Sequence, residues 1–271
     1  MNLKTVVWNM QHKESNWRVI RESGELKDAD IALLCEAPAP PAEVSWIGLG
    51  RTEGLDFRPL SGRPVKRAWS TAVLSSHPAN EITDARLSRW GKPLHFGASR
   101  PGTWTAASLD IDGVKVTAVS LYGLMDEKSD ASVHRSLSEL SPLFDHETYG
   151  GYLLMGGDLN ILANPRPNEP ARSRHLAVLS RIKAYGLVEC LEKALLARDR
   201  PRGGLPDCPC ELGDACTHTW TKRVEGSSVP YQDDYLFASL KLADCLTDCR
   251  AIPFTDENPS DHAPIIGTFE I

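Results

Sequence analysis

The stretch Ser260-Asp261-His262-Ala263-Pro264 leads into the last apolar run of the chain, residues 264–271, which we predict to be the final strand. An Asp-His pair here would lie where a strand begins, at the edge of a sheet. Taken alone, a histidine before a strand is more often a locally hydrogen-bonded loop residue. The pair gains weight because other polar residues also sit at the ends of apolar runs, in Trp8-Asn9, Cys35-Glu36, Gly157-Asp158-Leu159-Asn160 and Asp233-Asp234-Tyr235.

Strand signals dominate the chain, and helical patterns fall between them. We predict strands over 5–10, 30–35, 70–75, 103–109, 114–121, 151–156, 217–221, 235–238, 242–246 and 264–271. Helical spacing of apolar residues predicts helices over 16–26, 132–144 and 174–185. Asp112-Gly113 between two strand patterns indicates a tight hairpin. Hairpins mixed with crossovers favour an α+β layered sandwich over a purely parallel doubly wound sheet.

Composition is that of a globular protein. The chain has 271 residues, 41% of them hydrophobic and 24% charged, and it contains no apolar run long enough for a membrane helix. We expect one domain over 1–271, with a long loop rich in Cys, Pro and Gly at about 199–217. We also expect no secretory signal, reduced cysteines and a cytoplasmic location. The net charge of −6 argues against indiscriminate coating of nucleic acid but leaves room for a local basic face.

The polar strand ends suit metal-dependent cleavage of a phosphoester. Such cleavage needs a Lewis acid on the phosphoryl oxygen and an oriented water. Mg²⁺ prefers carboxylate oxygens and keeps several waters, so Glu36 at the end of an apolar strand is a candidate ligand. The plain alternative is a surface glutamate. Asp158 and Asn160 are candidates to accept a proton and to contact phosphate, although Gly-Gly-Asp-Leu-Asn also favours a simple turn.

His262 is a candidate to stabilise a phosphoryl transition state if a carboxylate holds its other nitrogen, and Asp234 is the candidate partner. The alternative for Asp233-Asp234 is an exposed acidic pair. Asp261 could bind metal directly or through water. Tyr122 ends the strand before it and could donate to phosphate, but partial burial in the core is an equal expectation.

In this order, Asn9, Glu36, Tyr122, Asp158-Leu159-Asn160, Asp234 and Asp261-His262 resemble the endonuclease/exonuclease/phosphatase superfamily. That superfamily includes exonuclease III, the AP endonucleases, DNase I, neutral sphingomyelinases and inositol polyphosphate 5-phosphatases. The resemblance runs from Asn9 to His262. It implies a four-layered α/β-sandwich of the DNase I type, in which two mixed β-sheets pack face to face with helices outside, and a divalent metal, Mg²⁺ or Mn²⁺.

The resemblance also implies roles for single residues. Glu36 corresponds to the principal metal ligand with Asn9 beside it, and Asp261 to a further metal or water ligand. Asp158 corresponds to the residue that orients or deprotonates the attacking water. The remaining matches are Asn160 as a phosphate contact, His262 as the catalytic histidine, Asp234 as its orienting partner, and Tyr122, the tyrosine of exonuclease III-like members. Tyr122 favours nucleic acid as the substrate.

The chain departs from AP endonucleases at four positions. Gln11 stands where many of them have an aspartate, and Met125 stands where an asparagine follows the tyrosine. Asp233 replaces a bulky apolar residue of the abasic pocket, and Thr219 precedes Trp220 where an aromatic residue is common. Specificity for abasic sites is therefore not expected.

Two loop features carry separate predictions. Cys208, Cys210, Cys216 and His218 could supply a Cys₃His structural zinc site, but their spacing is not the paired Cys-x-x-Cys, and reduced cysteines in a loop are favoured. Three arginines follow Asn160 closely and could line the rim of the site, where they would neutralise substrate phosphates: Arg166, Arg172 and Arg174.

The sequence therefore predicts a metal-dependent phosphodiesterase, most simply a nuclease acting on DNA or RNA. One alternative keeps the fold and changes the substrate to a phospholipid, an inositol phosphate or a nucleotide. A second alternative is a catalytically silent binding module that uses the basic loops. The polar set argues against this last reading, because a protein that only binds has no need of an Asp234-His262 pair.

Overall fold

The computed structural model describes the chain except for residues 23, 42–46, 52–55, 58–64, 67–69, 83–87, 90–91, 94–95, 126–127, 164–169, 198–218, 225–226 and 253–259. The helices are α1 Asn16–Glu22, α2 Ser129–Phe144, α3 Arg172–Ala184, α4 Cys190–Leu196 and α5 Leu240–Ala243. The strands are β1 Asn2–Asn9, β2 Ile31–Cys35, β3 Ile47–Arg51, β4 Asp56–Phe57, β5 Val65–Lys66, β6 Ser70–Ser75, β7 Ala79–Glu81, β8 Ser88–Arg89, β9 Lys92–Pro93, β10 Trp104–Ile111, β11 Val114–Leu121, β12 Leu153–Asp158, β13 Leu187–Glu189, β14 Trp220–Val224, β15 Ser227–Tyr231, β16 Asp234–Ser239, β17 Leu246–Ala251 and β18 Ile265–Glu270.

Most strands belong to two six-stranded mixed sheets. The first has the order β17-β18-β1-β2-β6-β3 and the second β13-β16-β12-β11-β10-β7. Each sheet has a parallel pair at its centre, β1 with β2 in the first and β11 with β12 in the second. The other neighbouring strands described are antiparallel. The carboxyl ends of some strands and the amino ends of others therefore lie along the same edge of each sheet.

The two sheets pack face to face because their central strands are apolar on the facing side. Val7 and Leu33 of the first sheet lie in one buried cluster with Ala118, Leu154 and Leu236 of the second. Burying such side chains is worth roughly 1.5–3 kcal/mol each before entropy costs. The layer between the sheets is therefore the main core.

Helices cover the outer faces. On the second sheet, Leu137 of α2 and Ile182 of α3 pack on Met155 and Phe237. On the first sheet, Trp17 of α1 lies in one buried cluster with Trp8 of β1 and Leu34 of β2. The result is the predicted four-layered α/β-sandwich, helix–sheet–sheet–helix. Among the described residues, none of the helices combines the length and apolar character that crossing a membrane requires.

The predicted hairpin at Asp112-Gly113 is confirmed. Strands β10 and β11 pair from Trp104 opposite Leu121 to Ile111 opposite Val114. Asp112 and Gly113 both have positive φ, at 50° and 84°, as a two-residue turn of this kind requires.

One predicted element is wrong. Residues 242–246 are not a strand: α5 ends at Ala243, and β17 begins only at Leu246. A short apolar run fits a buried helical turn as well as a strand, and its length alone does not separate them. The helix α4 was also missed. It is only seven residues long, and the side chain of Glu189 caps it by accepting hydrogen bonds from the backbone amides of Leu191 and Glu192.

Candidate active site

The polar residues at the strand ends meet at one edge of the sandwich. Asn9 ends β1 directly opposite Cys35, which ends β2, so Glu36 follows beside it. Asp158 ends β12 directly opposite Asp234, which begins β16. The carboxyl ends of parallel strands and the amino ends of their antiparallel neighbours share one edge, and for this reason the chain brings these side chains together.

Asp158 is the centre of the hydrogen-bond network. Its side chain is buried and accepts from the side chain of Asn9 at 2.8 Å and from the backbone amide of Asn160 at 2.8 Å. The amide group of Asn160 adds a longer contact at 3.3 Å and donates to the carbonyl of Gly123 at 2.9 Å. Asn160 has φ of 52°, a conformation that asparagine tolerates better than most residues. The turn therefore holds Asp158 in one orientation.

Burial first and the neighbouring Asp234 carboxylate second raise the pKa of Asp158 to about 7, against the opposing effect of His262. Such a carboxyl changes its charge near neutral pH. A general base works best when its pKa is close to the operating pH, so Asp158 is suited to accept a proton from water.

Asp234 and His262 form a buried pair. The Nδ1 atom of His262 lies 2.8 Å from Oδ2 of Asp234, and both side chains are at most 8% exposed. Burial alone would lower the pKa of His262, but Asp234, with Asp158 and Asp233 behind it, raises this pKa well above its ordinary value. The imidazole is therefore held as a cation, with its Nε2 edge turned away from Asp234.

The segment before β18 is tied to the end of β1. Trp8 donates from its indole nitrogen to the carbonyl of His262 at 3.0 Å. The hydroxyl of Ser260 donates to the carbonyl of Asn9 at 2.8 Å and accepts from the backbone amide of His262 at 3.2 Å. These bonds fix the imidazole relative to Asn9 across a separation of more than two hundred residues.

Asp233 and Asp234 are both buried and do not form the exposed acidic pair that was the alternative reading. The hydroxyl of the buried Thr219 accepts from the backbone amides of both, at 3.4 Å and 3.2 Å. Burial raises the pKa of Asp233 well above its ordinary value, as do Asp158 and Asp234. We read Asp233 as a protonated acid next to the Asp234–His262 pair.

Glu36 lies at the same edge, with a partner on each carboxylate oxygen. Tyr122 donates its hydroxyl to Oε1 at 2.7 Å, and Nε2 of His12 lies 3.3 Å from Oε2. The side chain of Glu36 is 18% exposed, so solvent or a ligand can reach it. Tyr122 itself is buried, as one of the two predictions for it expected, and its hydroxyl donates to Glu36, while donation to a phosphate stays a prediction.

Two glycines allow the strands to approach this closely. Gly157 has φ of 145°, and a Cβ atom there would lie 2.0 Å from the carbonyl oxygen of Leu121 and 2.7 Å from the sulfur of Cys35. A Cβ atom at Gly123 would lie 1.9 Å from the carbonyl oxygen of Leu159. Any side chain at either position would push Asp158 away from its partners.

The donor set fits a divalent cation. One carboxylate oxygen each of Asp158 and Asp234 and one ring nitrogen of His262 lie within 4.8 Å of one another. Because His262 is held as a cation, the carboxylate oxygens are the donors for a metal and the imidazole is not. Among the described residues, the buried Oδ1 atom of Asp234 and the buried Oε1 atom of Gln11 have no hydrogen-bond donor. Buried acceptors without donors are costly, and a cation or its bound water would satisfy them. Glu36 and Asn9 supply further oxygens at the same edge.

Not every predicted site residue reaches this cluster. Asp261 lies at its margin, with Oδ1 3.8 Å from Nε2 of His262 and a side chain 40% exposed. Arg174 pairs with Asp130 of α2 at 3.2 Å, and Arg172 is exposed in the first turn of α3. Further predicted residues lie outside the described part of the chain: Arg166, Cys208, Cys210, Cys216 and His218.

Two residues of the candidate site were not predicted from the sequence, His12 and Thr219. His12 carried no signal beyond its place three residues after Asn9. Thr219 was noted only as a departure from a pattern, yet it holds the backbone at both Asp233 and Asp234. A contact between a threonine and an Asp-Asp pair fourteen residues later produces no periodic pattern that could be recognised in the sequence.

Comparison with known proteins supports the fold. No family model matches the chain, and no curated protein matches it. Among solved structures, AP endonuclease LMAP from Leishmania major superposes with a TM-score of 0.63 at 14% identity, covering 100% of this chain and 88% of the other. The 3′-5′ exonuclease NExo from Neisseria meningitidis gives 0.61 at 18% identity, covering 99% and 100%. D. rerio TDP2 with a single-strand DNA product gives 0.59 at 15% identity, covering 100% and 99%.

These likenesses cover 99–100% of this chain and 88–100% of the other chains at low identity, and they show a shared fold. The chain thus has the DNase I-like α/β-sandwich fold of the endonuclease/exonuclease/phosphatase proteins, as the resemblance predicted.

Proposed function

We propose that this protein is a divalent-metal-dependent phosphodiesterase and that its substrate is a nucleic acid. The observation that carries the proposal is the junction of Asp158 with Asp234 and His262 at one strand edge, next to Asn9 and Glu36. A base near neutral pKa, a cationic imidazole and a set of carboxylate oxygens are the groups that phosphodiester hydrolysis needs.

In this proposal Glu36 and Asn9 hold Mg²⁺ or Mn²⁺, and Asp261 supports the ion directly or through water. When bound, the ion would polarise the scissile phosphate and offset its charge. Asp158 accepts the proton of the attacking water, since Asn9 and Asn160 orient its carboxylate.

The charge that develops on the phosphoryl group is stabilised from the other side. His262 stays protonated because Asp234 holds its Nδ1, so Nε2 can donate to a phosphate or leaving oxygen. Asn160 contacts the phosphate, and Tyr122 orients Glu36 through its hydroxyl. Arg172 and Arg174, with Arg166, would meet substrate phosphates along the rim.

The choice of nucleic acid rests on Tyr122 and on the neighbours. One neighbour is described with a single-strand DNA product and another with a product DNA hairpin. We further propose that residues 1–271 act as one catalytic domain. A cytoplasmic location is proposed because the described cysteines, Cys35, Cys190, Cys245 and Cys249, are free thiols.

The test compares hydrolysis of plasmid DNA, single-stranded RNA and bis(p-nitrophenyl) phosphate, with Mg²⁺, with Mn²⁺ and with EDTA. We expect metal-dependent cleavage of a nucleic acid by the native protein and loss of it in Glu36→Ala, Asp158→Ala and His262→Ala variants that remain folded. Cleavage confined to small esters would move the substrate to the phospholipid, inositol phosphate or nucleotide class. Normal turnover by the three variants, or none by the native protein, would contradict the proposal.

A further inference from the structure

The turn after β1 adopts an unusual backbone for its residue types. The amide of Lys13 donates to the carbonyl of Met10 at 3.0 Å, which closes a turn around Gln11 and His12. Both central residues have positive φ, 50° and 54°. Turns of this kind normally place Asn-Gly or Gly-Gly there, because a Cβ atom is strained at positive φ. A Gln-His pair therefore holds a conformation that its side chains disfavour.

This turn lies directly on Glu36. The backbone amide of His12 donates to the carbonyl of Glu36 at 2.9 Å, and Glu36 itself has a positive φ of 48°. Three non-glycine residues in the left-handed region thus meet at one point. Backbone strain of this kind concentrates at functional sites, where the surrounding structure maintains it.

The turn places the imidazole of His12 next to the carboxylate of Glu36. Nε2 of His12 lies 3.3 Å from Oε2 of Glu36, while Tyr122 occupies Oε1 on the other side. The side chain of His12 is 45% exposed, so an ion can approach the pair from solvent. Two donor atoms bound to one cation at about 2.1 Å lie roughly 3.0–3.4 Å apart, which is the separation seen here.

We propose that His12 is a nitrogen ligand of the cation that Glu36 holds, so that the site takes an imidazole in addition to carboxylate and amide oxygens. The proposal rests on the proposed function for the presence of that cation. It also predicts a relative ion preference, because first-row transition metals accept a nitrogen ligand more readily than Mg²⁺, which favours an all-oxygen set; Mn²⁺ does so least strongly of that series.

The rival explanation is that His12 only hydrogen-bonds to Glu36 and never touches the ion. Pulsed electron paramagnetic resonance of the Mn²⁺-loaded full chain separates the two, since a directly bound imidazole gives ¹⁴N modulation of the manganese signal. The key variant is His12→Asn, because asparagine tolerates the left-handed backbone. The matched control is His77→Asn, which removes another histidine paired with a carboxylate, Asp30, at 3.2 Å.

We expect imidazole modulation in the native protein and in His77→Asn, and its loss in His12→Asn. We also expect the preference for Mn²⁺ over Mg²⁺, measured as the ratio of dissociation constants, to fall by about tenfold or more in His12→Asn. Modulation that persists in His12→Asn, or an unchanged ratio, would overturn the proposal.

A glycine variant tests the strain. His12→Gly relieves the positive φ, so the denaturant midpoint of the metal-free protein should not fall while Mn²⁺ affinity does. A fall in the metal-free midpoint would assign His12 a structural role and contradict the proposal.

The outcomes also separate this inference from the proposed function. A protein that hydrolyses phosphodiesters with Mn²⁺ but shows no ¹⁴N modulation would remove the role of His12 and leave the function standing. A protein that shows the modulation but cleaves no phosphodiester would support the ligand and remove the function.

Discussion

Asp158 lies directly opposite Asp234 where β12 pairs with β16, and both carboxyl groups are buried. The nearby Asp234 carboxylate makes ionisation of Asp158 harder, and the two side chains have different partners. Asp234 is tied to the imidazole of His262, while Asp158 receives amide donors and has its pKa raised to about 7, through burial first and then through Asp234. One strand pairing thus produces an anion that serves the histidine and a base that serves the water.

Asp234→Asn should remove the charge interaction between residue 234 and His262. The variant keeps the side-chain volume but removes the charge that holds His262 protonated, so the pKa of His262 should fall. We expect kcat to drop by roughly 10²–10⁴, the range for loss of a positioned acid or base. The pH profile of hydrolysis and a histidine NMR titration measure the two effects. Asp30→Asn, which removes the partner of His77, is the control and should leave turnover unchanged.

The metal-free protein should lose stability as pH rises. Burial raises the pKa of Asp158 and of Glu189 to about 7, above their usual values near 4, so the native state binds more protons than the unfolded chain between about pH 4 and 7. The raised pKa of His262 acts in the same direction above its ordinary value. Urea midpoints measured between pH 5 and 8 should therefore decrease steadily.

Glu189→Gln provides the control for this slope. Glu189 caps α4 and has no assigned catalytic role, and its replacement removes one contributor, so the pH dependence should become shallower while hydrolysis continues. A midpoint that rises from pH 5 to 8 in the metal-free protein would contradict the account of these buried acids.

Gly157→Ala should damage both the fold and the site. The new Cβ atom would lie 2.0 Å from the Leu121 carbonyl oxygen at a φ of 145°, and relief requires moving Asp158. We expect a loss of more than about 2 kcal/mol in the free energy of unfolding, together with loss of activity. Gly151→Ala, where a Cβ atom would meet nothing within 4 Å, should change stability by less than about 0.5 kcal/mol. Equal stability of the two variants would refute the close-approach argument.

Thr219→Val tests the support beneath the acidic pair. The variant keeps the shape of the side chain but leaves the buried backbone amides of Asp233 and Asp234 without their acceptor. The expected cost is about 1–3 kcal/mol in denaturant unfolding, with a fall in kcat from the displaced Asp234. Thr219→Ser retains the hydroxyl and should retain most of the activity. If valine and serine behave alike, the hydroxyl has no supporting role.

The sequence was informative where apolar strands end in polar residues. The run Ile31–Cys35 is buried at every position, and Glu36 follows it as expected. Periodicity and the mix of hairpins and crossovers predicted an α+β layered sandwich. The four-layered form followed from the resemblance of Asn9, Glu36, Asp158, Asp234 and His262, in that order, to the endonuclease/exonuclease/phosphatase superfamily.

Local backbone geometry could not be read in the same way. Nothing in Gln11-His12 signals two consecutive positive φ angles, so the contact of His12 with Glu36 was missed. Leu242–Leu246 was assigned as a strand because a short apolar run suits either element, and packing against the second sheet decided for α5. The burial of Asp233 was not predictable from its neighbours in sequence either, and the Thr219 hydroxyl that accepts from its backbone amide lies fourteen residues away.

The central claim is that separate strand ends form one metal-dependent centre at Glu36. Anomalous diffraction from a crystal soaked in Mn²⁺ measures this directly. We predict a peak within coordination distance of the Glu36 carboxylate, on the side of Asn9 and Asp158, that disappears in Glu36→Gln. A well-ordered site with no peak there, or a peak that the substitution leaves unchanged, would contradict the claim.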